Sequence, residues 1–386
     1  MIAYNKEWLK NLVIREEAGS AFHEYCIEES ELNAINNKYS IQFYTPQYFI
    51  AVGLFLLTII ILFFSFGVLA LLFIDSFERI IGGLAIFFGM LTYAGLEYMI
   101  QTKKHYRSGV DDALLWMAAI SISGGVIHLT GSEELISCVI VFIICLYGVL
   151  RFTDRLMAVA AYVCLMGVFY YSFTGMGVYG KMLAPFALMA VSAIVYFVAT
   201  IIKNNGTNNL YNECLQVSRV IALLGFYCAG NYYVVREISD EMLHLNLQDN
   251  QSIPFAWLFW ICTVTIPVVY LLAGIQRKDK MWIRTGLVLM VAAVLTIKYY
   301  YYVAAVETIM TLGGIALLGI VYGLSQYLKK PRFGFTGMDS SIHDKEEKMQ
   351  VESLVISETF SAKPEAADVT RFGGGGFGGG GSSSDF

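Results

Sequence analysis

The sequence predicts an all-α fold, a polytopic bundle of about ten transmembrane helices with both ends on the same side of the bilayer. Three observations predict it. Charged residues make up only 15% of the 386-residue chain and hydrophobic residues 57%, whereas soluble domains carry roughly a quarter charged residues. The apolar residues also gather in blocks near the roughly 20 positions that cross a bilayer core as a helix. Blocks such as 49–64 run without the apolar–polar alternation that a transmembrane barrel needs.

Taken in order, residues 1–47 are expected as a cytosolic segment with two amphipathic helices. One centres on Trp8, Leu9, Leu12 and Val13, the other on Leu32, Ile35 and Tyr39. The second opens with Glu28, Glu29 and Glu31, where the helix dipole favours anions. The start of the chain lacks the basic region, short apolar stretch and cleavage site of a signal peptide, so the first span is expected to act as an uncleaved anchor. The bundle is expected over 48–328, with spans near 48–73, 80–100, 110–130, 134–151, 156–175, 182–202, 216–235, 254–275, 281–301 and 305–327.

Lysine and arginine placement orients these spans, because short loops rich in them stay cytoplasmic. With an even number of spans, eighteen Lys and Arg fall on the cytoplasmic side, and only Arg79, Lys181, Arg236 and Lys298 fall outside. Removing one span reverses every later loop and destroys this asymmetry. Both termini are therefore expected to be cytoplasmic. Residues 329–386 are expected as a disordered tail, glycine-rich at 373–381, because such a composition buries too little surface to offset the entropy of ordering.

The polar helices leading into the first span, the segment Cys26-Ile-Glu-Glu-Ser-Glu-Leu-Asn-Ala-Ile35 and the string of short-looped spans resemble bacterial multi-span membrane proteins grouped as domains of unknown function. That resemblance implies a location in a bacterial cytoplasmic (inner) membrane and supplies no catalytic residues. The glycine block with Phe372, Phe377 and a terminal Phe386 is similar to tails of other bacterial membrane proteins that end in glycines and an aromatic residue. It marks these three aromatics as a candidate protein-binding peptide, set against a solvated tail with no partner.

Ionisable and polar groups inside the spans are the candidate site, since a charge at mid-bilayer costs on the order of 2.5–3.5 kcal/mol. Glu97 either reaches the cytoplasmic interface to pair with Lys103, Lys104 or Arg107, or lines an internal cavity. Asp111 and Asp112 open the third span as helix caps, and Asp112 shares a face with Trp116. His128 closes the same span as a lone histidine without a ligand-spaced second one. Lys298 stands before the tyrosine run 299–302, which reads as an aromatic belt; it is placed at the depth of Glu307 on the next helix and of Asn231 on the seventh.

Among function classes, nucleic-acid binding is excluded by the absence of a basic face. The seven cysteines lack Cys-x-x-Cys spacing and lie mostly in apolar runs, so neither a disulfide framework nor a metal site is expected. Walker, dinucleotide, Gly-x-Ser-x-Gly and His-Glu-x-x-His motifs do not occur, and no cofactor is expected. What is left is a non-catalytic assembly or regulatory component. The alternative is a secondary transporter or lipid-handling protein with a small-molecule or lipid substrate held among Glu97, Lys298 and Glu307, and an intramembrane enzyme comes last. The bilayer itself is the one partner the composition demands.

Overall fold

The computed structural model describes residues 2–23, 26–73, 77–205, 209–238 and 255–300, together with Ile315, Leu318, Gly319 and Tyr322. Met1–Ile309 belong to one compact unit and Met310–Phe386 to a second, in which the four residues just named are the described ones. Among the described residues there are helices and no strands, the nearest thing to one being a bridge between Tyr44 and His105.

Two helices, α1 (Lys6–His23) and α2 (Glu29–Lys38), precede the bundle. At the start of α2 the Glu28 amide donates to the Glu31 carboxylate at 3.0 Å, which satisfies one of the donors that a helix start leaves open. The long helices follow as α3 (Tyr48–Leu71), α4 (Phe77–Gln101), α5 (Val110–Thr130), α6 (Glu134–Phe152), α7 (Arg155–Thr174) and α8 (Val178–Asn204). After a 3₁₀ turn at Asn209–Tyr211 come α9 (Asn212–Gly230), α10 (Tyr232–Glu237), α11 (Ala256–Arg277) and α12 (Lys280–Tyr300).

Eight of these, α3 to α8 with α11 and α12, are long and apolar enough to cross a bilayer, and they make this a multi-pass membrane protein. The expected seventh span, 216–235, is not one helix: Asn231 interrupts it between α9 and α10. The expected tenth span lies outside the described residues apart from the four helical positions, as do the loop beyond Ile238 and the glycine-rich tail.

Four hairpins, α4–α5, α6–α7, α8–α9 and α11–α12, supply most of the packing. Small residues set how close their helices come, because in lipid there is no hydrophobic drive between apolar helices and contact must come from backbone approach. A Cβ at Gly89 would meet Ile122 at 2.6 Å, and one at Gly125 would meet the carbonyl oxygen of Gly82 at 2.6 Å, so α4 and α5 need glycine at both places. A Cβ at Gly274 of α11 would likewise come within 2.8 Å of the backbone nitrogen of Ile283. Helix α3 lies against α5 with no residue buried along its length, as expected of a helix apolar all round whose remaining surface faces lipid chains.

The α1 end of the bundle is closed by the chain's own start. The Ala3 amide donates to the Arg151 carbonyl at 2.9 Å. Tyr4 and Leu9 are buried in the same cluster as Leu96, Leu115, Phe152 and Met157. A second cluster, around Tyr162, Tyr196, Leu223, Tyr270 and Leu289, joins α7, α8, α9, α11 and α12.

Candidate functional site

Polar residues gather at the two ends of the bundle, and each end is built differently. At the α1 end the 102–109 connection must turn between α4 and α5, and Asp111 holds it. Its carboxylate, 2% exposed, accepts from the backbone amides of Arg107 and Ser108 and from the Ser108 hydroxyl, each at 2.8 Å. Tyr4 adds a fourth bond at 3.3 Å. Burial, with the Asp111 charge beside it, pushes the Tyr4 phenol well above its ordinary range, so Tyr4 stays a neutral donor.

Glu97 of α4 meets Arg151 of α6 at 2.7 Å, and Tyr93 and Gln101 donate to the same carboxylate at 2.8 and 3.0 Å. Its partner is thus Arg151, not Lys103, Lys104 or Arg107. Asp112 accepts from the Gly109 amide at 3.3 Å and lines a cavity of about 570 Å³ together with Trp116, Asp154 and Arg155. Glu213 stands between Arg107, with which it forms an ion pair, and Arg155, at 3.6 Å.

Sequence reasoning treated Arg219 only as a positive charge in a count. The structure buries it on α9, where it reaches Asp279 at 3.5 Å and lies over the Tyr196 ring, 5.5 Å from its centre. Tyr196 in turn accepts from the Trp282 indole at 2.9 Å. An arginine two turns into α9, just before its apolar stretch from Val220 to Gly230, was the available signal.

At the far end the interrupted helix is the central feature. A helix interrupted in a buried place frees backbone groups that need new partners, and here side chains satisfy them. The Asn231 carbonyl accepts from the amides of Tyr233 at 2.9 Å and Val234 at 3.2 Å, which caps α10. Thr263 of α11 accepts from the Tyr232 amide at 3.0 Å. The Asn231 amide group donates to Tyr227 at 2.9 Å and to Thr296 of α12 at 3.0 Å, leaving the side chain 1% exposed.

Beside this break, between α9–α10 and α12, lies a cavity of about 560 Å³. Leu289, Ala292, Leu295 and Val234 supply apolar wall, while Asn231, Thr296, Tyr227, Tyr233 and Lys298 contribute polar atoms. Two rings of the wall, Tyr233 and Tyr299, meet at 4.8 Å, and Tyr232, next to Tyr233 in the chain, stacks on Trp260 at 4.7 Å. A smaller cavity of about 180 Å³ on the other side of α9 shares Cys228 and Val234 with the first and is lined by Pro185 and Lys181 of α8.

The structure therefore brings Asn231 and Lys298 into one cavity. Glu97 and Asp112 lie at the opposite end, in separate constellations, so Glu97 and Lys298 do not share a site. His128 stands exposed in the last turn of α5, away from both cavities. Glu307, Phe372, Phe377 and Phe386 lie outside the described residues. All seven cysteines are free thiols, and no group of three His, Cys, Asp or Glu with metal-binding proximity occurs among the described residues. No family model, no curated protein and no solved structure matches the chain.

Proposed function

We propose that this chain is a non-catalytic, lipid-handling protein of a bacterial cytoplasmic membrane that binds an anionic amphiphile in the cavity beside the broken α9–α10 helix. The observation that carries the reading is the lining of that cavity. An apolar pocket with a few convergent polar groups is the usual form of a small-molecule site, and here the groups are an amide, hydroxyls and one ammonium. Leu289, Ala292 and Leu295 suit an acyl chain. Lys298 is a cation with no carboxylate closing on it among the described residues, and it suits a carboxylate or phosphate headgroup. The excess of Lys and Arg at the α1 end argues for that end being cytoplasmic, which puts this cavity toward the outer leaflet.

The experiment is saturation binding of a fluorescent fatty-acid analogue to the purified protein in nonionic detergent. Lys298→Gln is expected to weaken binding roughly tenfold, the scale of one charge-assisted contact, and Ala292→Trp to block it by filling the wall. Wild-type affinity in both variants refutes the reading.

A role as an assembly or regulatory component rests on different residues. Residues 2–12, expected from the sequence as part of a cytosolic amphipathic segment, pack onto the bundle's own end. Capture of a protein partner then falls to the tail with Phe372, Phe377 and Phe386, and comparing the membrane proteins that co-purify with the full chain and with a 372–386 deletion tests it.

A further inference from the structure

The cavity at the α1 end is independent of the Lys298 site, at the other end of the bundle, and its charges are of both signs. Asp112 and Asp154 face it together with Arg107 and Arg155. The two arginines share one carboxylate, Glu213, which pairs with Arg107 and approaches the Nε of Arg155 at 3.6 Å, beyond hydrogen-bond distance. Among the described residues no cation lies within ion-pair distance of either aspartate. Asp112 accepts the Gly109 amide at 3.3 Å, and Asp154 accepts the Met157 amide at 2.6 Å. The cavity thus presents two guanidinium groups that share a single carboxylate, for an anion, beside two carboxylates without an ion pair among the described residues, for a cation.

Depth adds a second constraint. The charged groups sit at helix ends: Asp112 in the first turn of α5, Asp154 and Arg155 at the start of α7, and Arg107 in the connection before α5. The other walls, Val52 and Phe55 of α3, Trp116 of α5 and Val159 of α7, lie one to two turns further into the apolar slab. Val52 is 41% exposed on the lipid-facing helix, so the cavity opens sideways through α3's neighbourhood. A charged head at the level of the helix ends and an apolar floor running inward is the layout of a phospholipid in its own leaflet.

We infer that the cavity between α3, α5 and α7 holds a zwitterionic phospholipid, its phosphate on Arg155 and Arg107, its ammonium between Asp112 and Asp154, and its acyl chains along Val52, Phe55 and Val159. Guanidinium groups match phosphate with paired N–H donors. Paired carboxylates against an ammonium relieve the cost of leaving two like charges unpaired in a partly dry site. An anionic lipid such as phosphatidylglycerol offers the arginines the same phosphate but the aspartates only neutral hydroxyls in place of an ammonium, so selectivity is set by the acidic half of the site.

The test uses the delipidated full chain in nonionic detergent and native mass spectrometry. Retention is compared for phosphatidylethanolamine, phosphatidylcholine and phosphatidylglycerol of identical acyl composition. One lipid is expected to be retained with a several-fold preference for the zwitterionic pair over phosphatidylglycerol; a lead of phosphatidylethanolamine marks hydrogen bonding to a primary ammonium, and equality with phosphatidylcholine marks recognition by charge. Asp112→Asn, which can still accept the Gly109 amide, is expected to abolish the preference. Arg155→Gln, on a half-exposed side chain, is expected to weaken all three lipids by roughly tenfold. Lys298→Gln is expected to change nothing here, which keeps this site distinct from the far cavity. Equal or tighter retention of phosphatidylglycerol by the wild type overturns the inference. So does an unchanged preference in Asp112→Asn or, should that variant not fold, in Asp154→Asn.

Discussion

Arg151 of α6 reaches across to Glu97 of α4 at 2.7 Å and makes a charge pair whose acidic side chain is only 17% exposed. At sequence level Glu97 has the option of reaching the interface, and substitution there would cost little. The pair changes that expectation. Glu97→Gln keeps the hydrogen-bonding shape but leaves the Arg151 guanidinium partly desolvated without its counter-charge. The expected loss is about 1–3 kcal/mol, between the values for exposed and fully buried pairs. Thermal unfolding in detergent measures it, and Glu97→Gln together with Arg151→Met should recover part of the loss, because neither charge is then stranded.

The multi-helix membrane architecture was legible in the sequence because it follows from local composition: an apolar block near 20 residues long has few alternatives in lipid. What escaped was tertiary. Nothing in the run from Glu213 to Arg236 shows that Asn231 ends one helix and starts another, since asparagine is merely a poor helix former until Thr263 and Thr296 arrive from α11 and α12 to bind the freed groups. The partner of Glu97 escaped for the same reason. Lys103 and Arg107 are near in sequence, whereas Arg151 becomes a neighbour only when α6 packs beside α4. Asp112 and Trp116, one helical turn apart, do line one cavity, and spacing alone showed that they share a face.

Asn231 is expected to be the costliest single polar side chain to remove. Asn231→Ala strips a cap from two backbone amides and takes from the Tyr227 and Thr296 hydroxyl oxygens their buried amide donor, while Thr296 keeps its bond to the Ala292 carbonyl at 3.0 Å. Losses of about 1 kcal/mol for the cap and about 1–3 for the unsatisfied groups give about 2–4 kcal/mol together. Thr296→Val removes one of those bonds and is expected to cost about 1 kcal/mol. Urea or thermal denaturation in micelles orders the two variants, and a Thr296→Val loss equal to that of Asn231→Ala contradicts the bonding scheme.

Asp154 provides a pH dependence. It caps α7 by accepting from the Met157 amide at 2.6 Å, and burial raises its carboxyl above the ordinary aspartate range. A carboxyl whose folded-state pKa lies above its unfolded value favours the native state at low pH and withdraws that support as pH rises through the folded value. Stability attributable to this group is therefore expected to fall as pH rises from about 4 toward neutrality. Asp154→Asn retains a capping oxygen and cannot ionise, so the variant should match or exceed the wild type at neutral pH and lose its relative advantage in acid. A stability difference that does not move between acid and neutral pH refutes the assignment.

The start of the chain tests whether residues before α1 are part of the fold or an appendage. Tyr4 is 7% exposed, packs edge-on against Tyr106 at 4.9 Å and donates to Asp111, which also holds the 102–109 connection. An appendage could be trimmed without consequence to the bundle. Tyr4→Phe keeps the ring and removes one bond to a charged acceptor at 3.3 Å, so it is expected to cost about 1 kcal/mol. Tyr4→Ala also empties a buried aromatic site and is expected to cost about 3–5 kcal/mol. The ratio matters more than either value, because a ring that merely rested on the surface would make both substitutions silent. Hydrogen exchange supplies the location. In Tyr4→Ala the amides of Arg107 and Ser108, which donate to Asp111 at 2.8 Å, should lose protection before any amide in α11 or α12 does. Unchanged protection at these two amides would show that the N-terminal segment is not holding the α4–α5 connection in place.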